Sequence, residues 1–409
     1  MSFVLQHPQP TPVSFSGERG EFRRLVTRGA MLELITIGFY RFWLATDIRR
    51  HLWSNTHVDG DAAEYTGRGK ELLIGFLFAL AILVPIYLAY FLVSIEAERF
   101  KAFAGLPLFA FFYLFGQFAI YRARRYRLTR TVWRGVRFWM DGSGWAYAMR
   151  AALWAMLMPL TLGLILPWRE AALERYKMRH CYYGELQGSF EGSGWDFFKR
   201  GWWLWLVALV PLALIMALPL SPLIPWLSPL AKKNANEIGA IISLFKAFIS
   251  LFVMLSAPFI YGVFKAVEWR WWLSGIRFGD VRFESALRRG ALVGLYWKVI
   301  GWFLLLVVLF TAYLFAGARL IAGTGGLSLN PAILQQSVSM LVLAGIGYLA
   351  FILALNVVIR VYLMRDVWAR VIGSTTVHNI DAVTDISVGG DLADAIGEGL
   401  ADGLDVVGF

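Results

Sequence analysis

Cysteine is almost missing from this chain. Cys181 stands alone among 409 residues, which excludes an intramolecular disulfide framework. Histidine is nearly as scarce. His7, His51, His57, His180 and His378 form no pair at metal-ligand spacing with cysteine or with one another; the six-residue gap from His51 to His57 fits no usual zinc pattern. His180 precedes Cys181, but no third group completes a catalytic set. Charged residues make up only 16% of the chain, against about 25% in soluble domains. That deficit argues against a string of soluble domains. The opening segment, MSFVLQHPQPTPVSFSGERGEF, has no basic start followed by an apolar core. No cleaved signal peptide is therefore expected, and the first membrane segment must direct insertion.

What is abundant is apolar and aromatic: 58% hydrophobic residues and 16% Phe, Trp and Tyr. A helix crossing the hydrocarbon core needs about 20 apolar residues. Runs at 72–94, 104–121, 202–224, 239–264, 292–317 and 335–359 meet that length or come near it. Two further runs, 25–46 and 146–167, are ambiguous. Trp and Tyr crowd the run ends, where amphipathic rings favour the headgroup level.

The chain also repeats itself. At an offset of 125, Ala30-Met31-Leu32 meets Ala155-Met156-Leu157, Thr36 and Gly38 meet Thr161 and Gly163, and Trp43 meets Trp168. At an offset of 50, Gly142-Ser143-Gly144-Trp145 meets Gly192-Ser193-Gly194-Trp195. A looser copy runs from Arg270-Trp271 through Gly279-Asp280-Val281 to Phe283, and a degenerate one starts near Trp368. The shared unit is a membrane segment leaving through a basic, aromatic stretch, a short β-like segment, and a glycine turn opening the next helix. Such β-like pieces cannot lie unpaired in lipid and belong at the water-facing surface. The Gly-x-Gly turns are read as structural, because a nucleotide fingerprint needs a soluble βαβ setting.

Charge sets the expected topology. Of 39 Lys and Arg, 30 lie in six stretches: 1–28, 47–71, 122–145, 168–201, 265–290 and 358–370. The positive-inside rule places all six in the cytoplasm and gives the net charge of +11 a topological meaning, with no nucleic acid as partner. The expected fold class is an all-α polytopic membrane protein with six clear transmembrane helices, short β-like elements at the cytoplasmic face and internal repeats. The two ambiguous segments are read as re-entrant, broken at Thr36-Ile37-Gly38 and at Pro159-Leu160-Thr161-Leu162-Gly163. The rival reading makes them additional full spans, with the repeated halves inverted. The expected layout is a cytoplasmic N-terminal segment 1–24, membrane repeats 25–145 and 146–290, a membrane hairpin 291–370, and an acidic cytoplasmic tail 371–409 with a short helix near 390–404.

Charges inside apolar segments mark candidate sites, since a charge at the bilayer centre costs several kcal/mol. Glu33, Thr36, Gly38, Arg150, Thr161 and Gly163 form a candidate membrane-embedded polar site. The bland alternative is that Arg150 snorkels while Glu33 pairs locally. Arg124, Arg125, Arg127 and Arg175 are candidate lipid-phosphate contacts. No catalytic residue, metal or cofactor is expected.

Leu34-Ile35-Thr36-Ile37-Gly38-Phe39-Tyr40, followed by Trp43 and Arg49-Arg50, resembles the hallmark of the bacterial inner-membrane family called YjgN. The second copy, Leu160-Thr161-Leu162-Gly163 with Pro167-Trp168 and Arg175-Tyr176, is closer still, and Gly279-Asp280-Val281-Arg282-Phe283 resembles a later family motif. In the first copy Phe42 replaces the usual Pro before Trp, and His51 replaces the aromatic after Arg. The resemblance implies a cytoplasmic-membrane protein and brings no reaction with it. The functional expectation is a non-enzymatic, solute- or lipid-handling transporter-like protein with membrane lipids and a small-molecule or lipid ligand as partners. The alternative is a membrane scaffold or assembly factor. The N- and C-termini are expected in the cytoplasm.

Overall fold

The computed structural model describes residues 10–96, 101–217, 235–322, 338–384 and 386–403. Ten short antiparallel strands close into a barrel: β1 (Thr11–Phe15), β2 (Thr56–Val58), β3 (Asp61–Tyr65), β4 (Thr131–Trp133), β5 (Val136–Met140), β6 (Cys181–Tyr183), β7 (Leu186–Phe190), β8 (Ile276–Phe278), β9 (Val281–Ser285) and β10 (Thr375–His378). Each strand pairs with its sequence neighbours, and β10 pairs with β1 to close the ring.

The reason for this order lies in the turns. Two-residue loops join β2 to β3, β4 to β5, β6 to β7 and β8 to β9. Asp59-Gly60 and Arg134-Gly135 hold both central residues at positive φ (53° and 82°, 47° and 77°), the type I′ geometry that matches strand twist. The other two loops place Gly184 and Gly279 first, at φ 56° and 54°.

Between these β-hairpins the chain leaves as helices and returns. The excursions are α1 (Arg19–Ile35) with α2 (Arg41–Ser54), α3 (Gly69–Glu96) with α4 (Lys101–Thr129), α5 (Gly144–Leu160) with α6 (Leu166–Arg179), α7 (Gly194–Ala217) with α8 (Ala235–Gly275), and α9 (Val293–Ala322) with α10 (Val338–Ile359). The last pair continues through a π-helical turn (Arg360–Asp366) and α11 (Val367–Ile372) into β10. Each excursion follows a five-residue strand and returns to an adjacent antiparallel strand, so all five leave from the same barrel end.

The barrel is filled. Val13, Ala63, Phe138 and Phe283, third residues of five-residue strands, share one apolar cluster with Val58, Trp133, Tyr183, Phe278 and Val377. Alternate residues of a strand face one side, so one position per strand supplies a layer of core. Ile380 and Val383, in a 3-10 turn after β10, join the same cluster and close its mouth. The final helix, α12 (Ile396–Gly403), lies against α3 and α4.

These facts correct the all-α expectation. The β-like pieces are a closed ten-stranded barrel, and the described residues hold four helices, not six, long and apolar enough to cross a membrane: Gly69–Leu92, Ser243–Gly275, Val293–Leu320 and Val338–Ile372. The run at 104–121 lies in α4, whose last turns, with Arg122, Arg124, Arg125 and Arg127, belong to the barrel base. The run at 202–224 passes beyond Ala217, outside the described residues, as do most of the expected non-basic connections near 95–103, 225–238 and 318–334. The segments 25–46 and 146–167, read as re-entrant or as additional spans, are the turns of two helical pairs whose ends both return to the barrel.

Candidate functional site

The two breaks picked out in the sequence are conformational copies. At the first, Gly38 N–H donates to Glu33 O (2.7 Å) and Ile37 N–H to Leu34 O (3.2 Å); at the second, Gly163 N–H donates to Met158 O (2.8 Å) and Leu162 N–H to Pro159 O (3.3 Å). This is the Schellman pattern that satisfies the last carbonyls of a helix. The left-handed position usually held by glycine is held by Ile37 (φ 51°) and Leu162 (φ 49°). The Thr36 hydroxyl donates to Leu32 O (2.7 Å) and the Thr161 hydroxyl to Leu157 O (2.8 Å). Both threonines are thus occupied in capping. Ile35, Ile37, Phe39, Leu160 and Leu162 are exposed around the two tips.

Glu33 accepts from Arg360 of the π-helical turn at 3.1 Å, and Arg150 lies over the Tyr176 ring at 4.2 Å. Glu33, Thr36 and Gly38 belong to the α1–α2 pair; Arg150, Thr161 and Gly163 belong to the α5–α6 pair. Among the described residues no hydrogen bond or ion pair joins the two groups.

The arginines proposed as lipid contacts divide. Arg124 pairs with Glu174 (3.3 Å), and Arg127 approaches Glu398 (3.6 Å). Arg125 and Arg175 have no ion pair among the described residues. Arg130 pairs with Glu71 (2.8 Å), which also accepts from the Tyr126 hydroxyl (2.9 Å). Together these residues form a collar where the helices meet the barrel.

Two clusters in the collar are buried. In the first, Glu174 bonds both Lys177 and Arg124. Burial alone would push the Glu174 carboxyl up, but the Lys177 and Arg124 charges outweigh it and hold its pKa below the ordinary value. Burial likewise opposes the Lys177 ammonium, and Glu174 reverses the sign and raises it. In the second, Arg49 bonds the Glu398 carboxylate and donates to the Tyr65 hydroxyl at 3.2 Å. Burial opposes the Arg49 charge, and Glu398 and Tyr65 more than restore it, so its pKa is raised.

The sequence reading missed two surfaces. One face of α1 carries an open depression of about 500 Å³ lined by Arg23, Arg24, Thr27, Arg28, Met31 and Leu32. The three arginines are exposed and have no ion pair among the described residues. The signal was present in the spacing: positions 23, 24, 27, 28, 31 and 32 recur on one helical face, basic near the barrel and apolar toward the tip. The second is an apolar groove of about 420 Å³ between α7 and α8, lined by residues that include Leu204, Trp205, Ala208, Val253 and Phe264. The described residues contain no group of three His, Cys, Asp or Glu able to hold a metal ion. Cys181 is buried, which pushes its thiol up to about 11.

A filled barrel carrying helical pairs, four of whose helices are long and apolar enough to span a bilayer, defines a class of membrane protein with a β-barrel base. Within that class, residues 10–300 match the model of the family described as bacterial protein of unknown function, DUF898, and the chain belongs to that family, which is also the YjgN family. The chain matches no curated protein and no solved structure.

Proposed function

We infer that this protein is a non-catalytic, lipid-handling component of the bacterial cytoplasmic membrane that binds anionic phospholipid on α1. The observation that carries this reading is the α1 depression. Three exposed guanidinium groups sit beside the Thr27 hydroxyl at one end, and Met31 and Leu32 continue the surface toward an apolar tip. A phosphate headgroup and an acyl chain have the same order of chemistry along their length. A water-soluble cargo finds less support, because Glu33 is held by Arg360 of the π-helical turn and Arg150 lies over Tyr176 of its own helical pair, in separate places. The six basic stretches, with 30 of the 39 Lys and Arg, cover the barrel and helix bases, so the barrel and both termini belong on the cytoplasmic face of a multi-pass protein. The recurrence along the sequence is taken as the trace of one repeated strand–helical pair–strand unit.

The test is lipid retention. Native mass spectrometry of the detergent-solubilised protein should show phosphatidylglycerol bound in preference to phosphatidylcholine. Each basic residue near an anionic surface contributes about 1 kcal/mol. Replacing Arg23, Arg24 and Arg28 together by Gln should therefore weaken retention roughly a hundredfold. Equal retention of both lipids by the unaltered protein would refute the reading.

A scaffold role is the second reading. It is supported by the ring of tight β-turns, which presents Asp59, Asp61 and Arg134 as linked surface charges: Arg134 bonds both acids, at 2.7 and 2.5 Å. It requires a stable protein partner in a mild-detergent pull-down that is lost on Arg134→Glu.

A further inference from the structure

The chain beyond β10 does not trail away from the barrel. After Asn379, at φ 59°, Ile380 and Val383 enter the barrel core. Ile386 and Ser387 lie at the β6–β7 turn, where a Cβ on Gly184 would strike both. The segment passes Trp139, which stacks on Tyr182, with Gly390 packed against the Trp139 indole. Asp394 meets Arg122 at 2.9 Å, and α12 settles against α3 and α4.

The seating of α12 is unusual in kind. It combines close glycine contacts, Gly399 on Gly75 of α3 and Gly397 on Arg122 of α4, with Leu400 and Ala401 buried in one apolar cluster with Ala79, Leu83, Phe115 and Ala119 of the same two helices. Beside these apolar contacts α12 inserts one carboxylate. Glu398 is 3% exposed and reaches Arg49 of α2 and Arg127 of α4 beside the Tyr65 hydroxyl. Glu398 Oε2 accepts no hydrogen bond among the described residues, because Arg127 Nε stands 3.6 Å away. The carboxylate is therefore a partial fit to a cleft walled by two guanidinium groups and a phenol.

We propose that Arg49, Arg127 and Tyr65 form a phosphate-binding site, and that the segment 386–403 is a removable strap whose Glu398 carboxylate occupies it. Guanidinium forks recognise phosphate as they do carboxylate, and a phosphate offers more acceptor oxygens than Glu398 does. Release of the strap uncovers Leu400 and Ala401 as well as Glu398, so the docked state is held by apolar packing together with charge. The site is distinct from the α1 depression and stands or falls separately from it.

A strap docked in about nine molecules of ten weakens apparent affinity about tenfold, and undocking restores it. The experiment compares the full-length protein with Glu398→Gln, using inorganic phosphate and phosphatidic acid in phosphatidylcholine nanodiscs as probes. In the unaltered protein the amides of 396–403 should exchange slowly with solvent. In Glu398→Gln they should exchange faster, at least one probe should bind about tenfold more tightly, and adding Arg49→Gln should remove the gain. A gain for phosphatidic acid alone assigns a lipid headgroup; a gain for both assigns the phosphate group itself. If Glu398→Gln is not monodisperse, Asp394→Asn, at the exposed end of the strap, is read in the same way. Unchanged binding on undocking, or a gain that survives Arg49→Gln, overturns the proposal.

Discussion

Glu174 shows how single residues hold the collar together. It is 7% exposed and keeps its charge only because Lys177 and Arg124 stand against it. A carboxylate held below its ordinary pKa contributes stability that is fully present above the unfolded value. That contribution is lost as pH falls through the folded value. Lys177 has the opposite sign: its contribution is present below the unfolded lysine pKa and is lost as pH rises past the folded one. The pair therefore supports the fold throughout the neutral range. Glu174→Gln should remove the acid-side loss and lower stability at neutral pH by about 3 kcal/mol, because it leaves Lys177 buried without its partner. Thermal unfolding of the detergent-solubilised protein between pH 3 and 7 measures both effects. An unchanged pH profile would mean that Glu174 is not ionised in the folded state.

At the scale of elements, the two helical pairs α1–α2 and α5–α6 carry the strain. A left-handed conformation costs an L-residue roughly 1–2 kcal/mol, and the β-branched Ile37 bears it at 89% exposure. Ile37→Gly should raise stability by about 1 kcal/mol, read as a higher unfolding temperature. A fall would show that the side chain supports the tip. The tips are also where apolar surface faces outward, so they should sit in the hydrocarbon. An Ile37→Trp or Leu162→Trp indole should be quenched by bromines placed on lipid acyl chains; quenching only by headgroup-level or aqueous quenchers would place the tips in water.

Much at this scale was legible in the sequence. The Thr-x-Gly breaks sit at helix ends, and the Gly142 and Gly192 quartets both stand between a five-residue strand and a helix. What hid the barrel was strand length. Three to five residues are too few for a period of two to declare itself, and closure needs a strand at 375–378 to find one at 11–15. The partners of the candidate residues were equally hidden. Glu33 meets a residue 327 positions away, and Arg49 one 349 positions away. Charge patterning gives their side of the membrane, and only the closed ring gives their neighbours.

At the scale of the whole molecule, the closed ring fixes one thing that no single helix could. Every helical pair leaves from the same barrel end, so all the tight β-turns must share one side of the membrane. Cys181 does not interfere with a labelling test, being 2% exposed with its thiol pushed up to about 11. Single cysteines placed at Asp59, Arg134, Glu185 and Asp280, one in each turn, should all react with a membrane-impermeant maleimide only when the cytoplasmic face is open. Reaction of any one of the four from the opposite face would contradict the barrel, and with it the account of how this chain meets the membrane.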